Sequence, residues 1–70
     1  MKYAILSEEK GYLGFASIED KKALFSGDYN PERAAGCDFN SESGAQKALE
    51  IFPIVIPNFP DDCKVVPISF

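Results

Sequence analysis

The chain has 70 residues, a formal net charge of −4, 46% hydrophobic residues, two cysteines, and neither histidine nor tryptophan. This length predicts one domain, residues 1–70, and the hydrophobic fraction is typical of a chain that folds around a core. Histidine-dependent catalysis and histidine metal sites are excluded, and no apolar run approaches the roughly 18 residues of a membrane-spanning helix.

Two strands are predicted at the start of the chain. Residues 2–7 carry apolar side chains on both faces, which favours a central strand. A polar segment ending in Gly11 predicts a hairpin turn. Residues 12–18 then predict a second strand, with Leu13 and Phe15 on one face. Small residues on its other face are expected to leave room for the backbone or side chain of something else.

The middle of the chain is dominated by a loop. Residues 23–26 predict a short strand or an extended loop, and residues 27–33 carry the strongest loop signal because Asn30 precedes Pro31. Pro31 can open a single helical turn, which Gly36 would end. Residues 37–39 are predicted to be extended.

One helix is predicted after this loop. Asn40 or Ser41 would cap it, and its apolar residues recur at helical spacing. Pro53 is expected to stop it, because proline lacks the hydrogen-bond donor that the next turn requires. The apolar stripe consists of Ala45, Ala48, Leu49 and Phe52.

The last third of the chain is rich in proline. Three prolines within residues 53–60 predict an extended crossover, in which Phe59 either plugs the core or contacts a partner. Asp61 and Asp62 predict a solvated turn. Residues 63–70 predict a final strand with Val66, Ile68 and Phe70 on one face. Since Pro67 removes a ladder donor, this strand is expected at a sheet edge.

These elements predict an α+β fold with the order β-β-(β)-α-β. The sheet would have three or four mostly antiparallel strands, and one helix would pack on one face. The opposite face would be partly open. In so small a chain, an open face or a free sheet edge is the expected place of contact with a partner.

The sequence offers few groups for chemistry. Cys37 and Cys63 lie 26 residues apart and cannot supply a four-cysteine zinc site. They are expected to be buried free thiols, with a disulfide as the alternative. No phosphate-binding glycine motif occurs. We therefore expect no enzymatic activity, no cofactor and no metal. The first residues do not resemble a signal peptide, which predicts a cytoplasmic protein.

The negative charge is unevenly distributed. Residues 1–26 are balanced, residues 27–50 carry −3, and residues 51–70 carry −1. The acidic excess is either a solubility face or a patch that meets a basic, nucleic-acid-binding surface on a protein partner. Direct nucleic-acid binding is disfavoured in an acidic chain. The best candidates for partner contact share the central loop: Asp28, Tyr29, Glu32 and Arg33.

Several segments together resemble small α+β proteins encoded by phages and other mobile elements. They are residues 11–15 (GYLGF), residues 39–41 (FNS) leading into residues 45–49 (AQKAL), and residues 64–68 (KVVPI). Anti-CRISPR inhibitors are among such proteins. The resemblance implies a non-enzymatic inhibitor that blocks a surface of a bacterial immunity complex. The alternative is a structural protein, such as a homodimer, that self-associates through a free sheet edge.

Overall fold

A computed structural model describes residues 1–69, so Phe70, predicted in the last strand, lies outside the described residues. The helix begins after Ser41, whose hydroxyl accepts a hydrogen bond from the Gly44 amide at 3.1 Å. A 3-10 turn covers Pro31–Ala34. The other elements are β1 (Lys2–Ser7), β2 (Gly11–Ser17), β3 (Lys22–Phe25), β4 (Asp38–Phe39), α1 (Glu42–Val55) and β5 (Cys63–Ile68).

The five strands form one sheet, in which every pairing described is antiparallel. β1 lies at its centre. One edge of β1 pairs with β5 along its whole length, and the other edge is shared by β2 and the two-residue strand β4. β3 pairs with β2. The sheet has five strands, whereas the sequence predicted three or four, because the extended segment at Asp38 also joins it.

The α+β class and the packing of one helix on one face of the sheet are confirmed. Adjacent residues of β1 lie in two different cores: Ile5 in the core that α1 covers, and Ala4 in a smaller one on the opposite face. The 3-10 turn contributes Ala34 to the smaller core, so that face is partly covered. β1 is therefore buried on both faces, in agreement with its apolar residues on both sides.

The prediction that Pro53 stops the helix is wrong. Pro53 lies within the last turn of α1, which continues to Val55. Proline has a backbone angle that suits a helix, and here it costs one hydrogen bond near the end of the helix. Buried Phe52 holds this turn against the sheet. The helix ends instead because Pro57 disfavours helical geometry at Ile56, which is extended.

The predicted alignment of Leu13 and Phe15 on one face of β2 is also wrong. A register shift falls between these residues, where a bulge interrupts the alternation of the strand. Leu13 is fully buried in the core beneath α1, whereas Phe15 is exposed. Ala16, rather than Phe15, packs against the core that contains Leu13.

Phe59 packs the segment between α1 and β5 against the core. Its ring centroid lies 5.7 Å from that of Phe25 and 5.8 Å from that of Phe52. These distances are typical of aromatic packing. The interpretation of Phe59 as a core residue is therefore confirmed. The edge position of β5 is confirmed as well, because within the described chain it pairs with β1 alone.

Two residues at the end of α1 test this packing. Phe52→Ala should lower the free energy of unfolding by about 3–5 kcal/mol, because it leaves a cavity against the sheet. Ile54 lies two residues away, and its side chain is 83% exposed. Ile54→Ala should therefore change the free energy of unfolding by less than about 0.5 kcal/mol. Urea denaturation of both variants measures the difference. Equal effects would contradict the packing of this turn.

Candidate functional site

The loop that carries the predicted contact residues is fixed to the start of β2. The Tyr12 amide donates to the Asp28 carbonyl at 3.0 Å, and the Gly27 amide donates to the Lys10 carbonyl at 2.8 Å. Gly11 has a positive φ of 81°, and a Cβ placed there would lie 2.5 Å from the Asp28 backbone nitrogen. Glycine at position 11 therefore allows the loop to lie directly against the strand.

Two glycines also let the 3-10 turn approach β2 closely. A Cβ on Gly14 would lie 3.3 Å from the Arg33 carbonyl oxygen. A Cβ on Gly36 would lie 2.6 Å from the Gly14 carbonyl oxygen. The backbone on both sides of the candidate residues is thus held within contact distance of the sheet.

Asp28 organises the loop through its carboxylate. One oxygen accepts a hydrogen bond from the Asn30 amide at 2.9 Å, and the other lies 3.4 Å from Arg33 Nε. The Asn30 hydrogen bond, together with the nearby Arg33 guanidinium, lowers the pKa of Asp28. The carboxylate therefore stays ionised at neutral pH and bridges the two ends of the loop.

Tyr29 projects from this ordered loop. Its side chain is 55% exposed, while its hydroxyl donates to the Glu8 carbonyl in the β1–β2 turn. The sequence left open whether Tyr29 covers the core or faces a partner. The structure combines features of both: the Tyr29 hydroxyl is hydrogen-bonded within the chain, and about half of the side-chain surface is exposed to solvent.

The four predicted contact residues lie together on one exposed segment. Glu32 is exposed, and its amide donates to the Asn30 side chain at 3.1 Å, which caps the 3-10 turn. Arg33 is exposed as well, yet it pairs with Asp28. This pair partly neutralises itself, so Glu32 is the acidic group of the loop that is most available to a partner.

A second polar cluster was not foreseen from the sequence. Buried Ser7 donates its hydroxyl to Asp62 at 2.8 Å, and the other Asp62 oxygen accepts from the Glu9 amide at 3.0 Å. The Lys10 amide donates to Ser7 Oγ at 3.0 Å. The Ser7 hydrogen bond is the main cause of the lowered pKa of Asp62.

This cluster joins the start of β5 to the β1–β2 turn. The carboxylate of Asp62 is used entirely by groups of the chain itself, which fits a structural role. Asp61 is exposed, as expected of a solvated turn, whereas partly buried Asp62 is also tied to Ser7 and to the Glu9 amide. Ser7 and Asp62 lie 55 positions apart, and no local sequence pattern relates them.

Both cysteines are free, as expected, and they pack beside the core under α1, but they are half-buried rather than buried. Burial raises the pKa of the Cys37 thiol, and the neighbouring Asp38 charge adds to this effect. Burial, with smaller contributions from Asp62 and Asp61, raises the pKa of Cys63 to about 11. Neither thiol has the lowered pKa of a reactive cysteine.

The attachment of the loop can be tested with two glycines of positive φ. Gly27→Ala should cost about 1–2 kcal/mol from backbone strain alone, since no atom lies within 4 Å of the added methyl group. Gly11→Ala carries the same strain and also collides with Asp28. It should therefore lower the melting temperature further, by at least about 4 °C beyond Gly27→Ala. Equal melting temperatures would contradict the close approach of the loop.

The thiols provide a test that depends on pH. Alkylation of Cys63 by iodoacetamide in the folded chain should continue to accelerate between pH 9 and 11, because burial keeps the thiol protonated there. In urea, the rate should level off above pH 9, the ordinary value for this group. Mass spectrometry of timed samples follows both cysteines. A folded chain that reacts like the unfolded one would contradict the burial.

Three further observations concern metal sites, membrane-spanning helices and similarity to known proteins. Within residues 1–69, no three cysteine, aspartate or glutamate side chains are grouped to hold a metal ion. No helix in the described part of the chain has the length and apolar character needed to cross a membrane. Comparison with protein-family models, curated proteins and solved structures finds no match for the chain.

Proposed function

We propose that the chain is a non-enzymatic protein-binding module whose contact surface is the loop containing Asp28, Tyr29, Glu32 and Arg33. The observation that carries this proposal is the half-exposed Tyr29 ring on a backbone fixed by hydrogen bonds on both sides. Tyrosine and arginine are enriched among residues that dominate binding energy. A loop ordered before binding also loses little conformational entropy when a partner docks.

The charge distribution supports a partner with a basic surface. Residues 27–50 carry a net charge of −3, and exposed Glu32 lies within this segment. A surface that ordinarily holds nucleic acid has the complementary charge. The resemblance to small mobile-element proteins makes a bacterial immunity complex the partner class that we propose. Binding would act by covering that surface.

The charges at the sheet edges disfavour the alternative, self-association. β3 begins at Lys22 and β5 carries Lys64 and Pro67. Lysine and proline on edge strands discourage pairing between copies, because like charges meet and a ladder donor is missing. A partner of different chemistry is the better explanation for an exposed, ordered loop.

Tyr29→Ala tests the proposed contact. A bacterial lysate passed over the immobilised chain supplies the partner, and calorimetric titration then measures affinity. Loss of a central tyrosine should weaken binding about 30-fold, equivalent to about 2 kcal/mol. The melting temperature should change little, since the ring is more than half exposed. Affinity for the original chain should also fall as salt rises, because the contact is electrostatic.

Two variants control this experiment. Tyr29→Phe keeps the ring and loses the hydroxyl that bonds the Glu8 carbonyl, so it should retain most of the affinity. Ile54→Ala alters an exposed apolar residue on α1 and should leave binding unchanged. A large fall in the melting temperature of Tyr29→Ala would show a structural role instead. Equal loss of binding in Ile54→Ala would place the contact elsewhere.

A further inference from the structure

A cleft of about 230 Å³ lies between β3 and the segment that joins α1 to β5. Its lining combines apolar and charged side chains. Phe25, Ile56 and Phe59 supply apolar surface, and all three belong to the packing around the core under α1. Lys10, Lys21 and Lys22 line the same cleft. We call this feature the lysine cleft.

The lysine cleft concentrates positive charge in an acidic protein. The chain has seven lysines and arginines against eleven acidic residues, yet three of the seven cations meet here. No acidic side chain described by the structure lines the cleft. A cleft lined by side chains of one charge raises the local concentration of ions of the opposite charge.

The three lysines are not committed to other partners. Across residues 1–69 the one salt bridge joins Arg33 to Asp28, and no side-chain hydrogen bond from these lysines is present. The pKa of Asp62 is lowered mainly by the Ser7 hydrogen bond, and the positive charge of Lys10 adds a small contribution. However, both oxygens of that carboxylate already accept hydrogen bonds, from Ser7 and from the Glu9 amide.

The shape of the cleft limits the ligand. A cavity of about 150 Å³ is enough to hold benzene, so this volume accommodates one ring or short chain with an acid group attached. We propose that the lysine cleft binds a small organic anion: an apolar body that carries a phosphate or carboxylate. The apolar part would pack on Phe25 and Phe59, and the acid group would face the lysines.

This proposal does not rest on the proposed function. The cleft is formed by Lys10 of the β1–β2 turn, by β3 with its preceding turn, and by the segment after α1, whereas the partner contact is assigned to the loop at Tyr29. Loss of one binding activity would leave the other intact. An anion bound in the cleft would also neutralise part of the positive charge of Lys21 and Lys22 at the start of β3.

Phenyl phosphate is a suitable probe because it combines one ring with one phosphate. Titration at low salt, followed by amide chemical shifts in NMR spectra, should give saturating changes at residues 21–25 and 56–60. Saturation is expected by about 10 mM, as for a millimolar dissociation constant. Lys22→Gln and Lys10→Gln should each raise the dissociation constant at least fivefold. Both side chains are exposed, so the fold should survive.

Lys47→Gln is the matched control, because Lys47 is an exposed lysine of α1 that does not line the cleft. It should leave the dissociation constant unchanged. Inorganic phosphate and benzyl alcohol, which each carry one half of the probe, should bind at least fivefold more weakly than phenyl phosphate. Three results would overturn the proposal: shifts that do not saturate, equal weakening by Lys47→Gln, or equal binding of inorganic phosphate.

Discussion

The structure depends on burying both faces of β1. Ala4 and Ile5 are adjacent, fully buried and directed into different cores. One face is covered by α1, which is amphipathic and long enough for this purpose. The other face must be covered by what remains of a short chain, and the 3-10 turn at Pro31–Ala34 does so through Ala34. The position of the candidate loop follows from this requirement.

Covering the second face determines where Tyr29 lies. The loop has to cross from β3 to the 3-10 turn while staying against β2, and glycines at positions 11 and 14 provide the space. Its backbone hydrogen bonds then fix the loop to the β1–β2 turn. The exposed ring is thus held in place by the packing that closes the smaller core. The hydrogen bonds and packing that hold this surface all lie within the chain itself.

The sequence predicted the features that local patterns determine. The bounds of β1, the Ser41 cap and the single turn after Pro31 each depend on residues within a few positions of one another. The errors occurred where tertiary contacts override a local rule. Pro53 stays helical because buried Phe52 holds the last turn, and the bulge in β2 depends on its pairing with β3.

The same distinction applies to the sites. The four residues of the candidate loop are close in sequence, so their grouping was predictable. The lysine cleft brings Lys10 together with Lys21 and Lys22 from separate turns, and the link from Ser7 to Asp62 spans 55 positions. Both require the sheet topology. The net charge of −4 also conceals this separation of charge. Lysines that discourage a second copy from pairing with β3 are the same groups that attract an anion, because repulsion between copies and attraction for a ligand have one electrostatic cause.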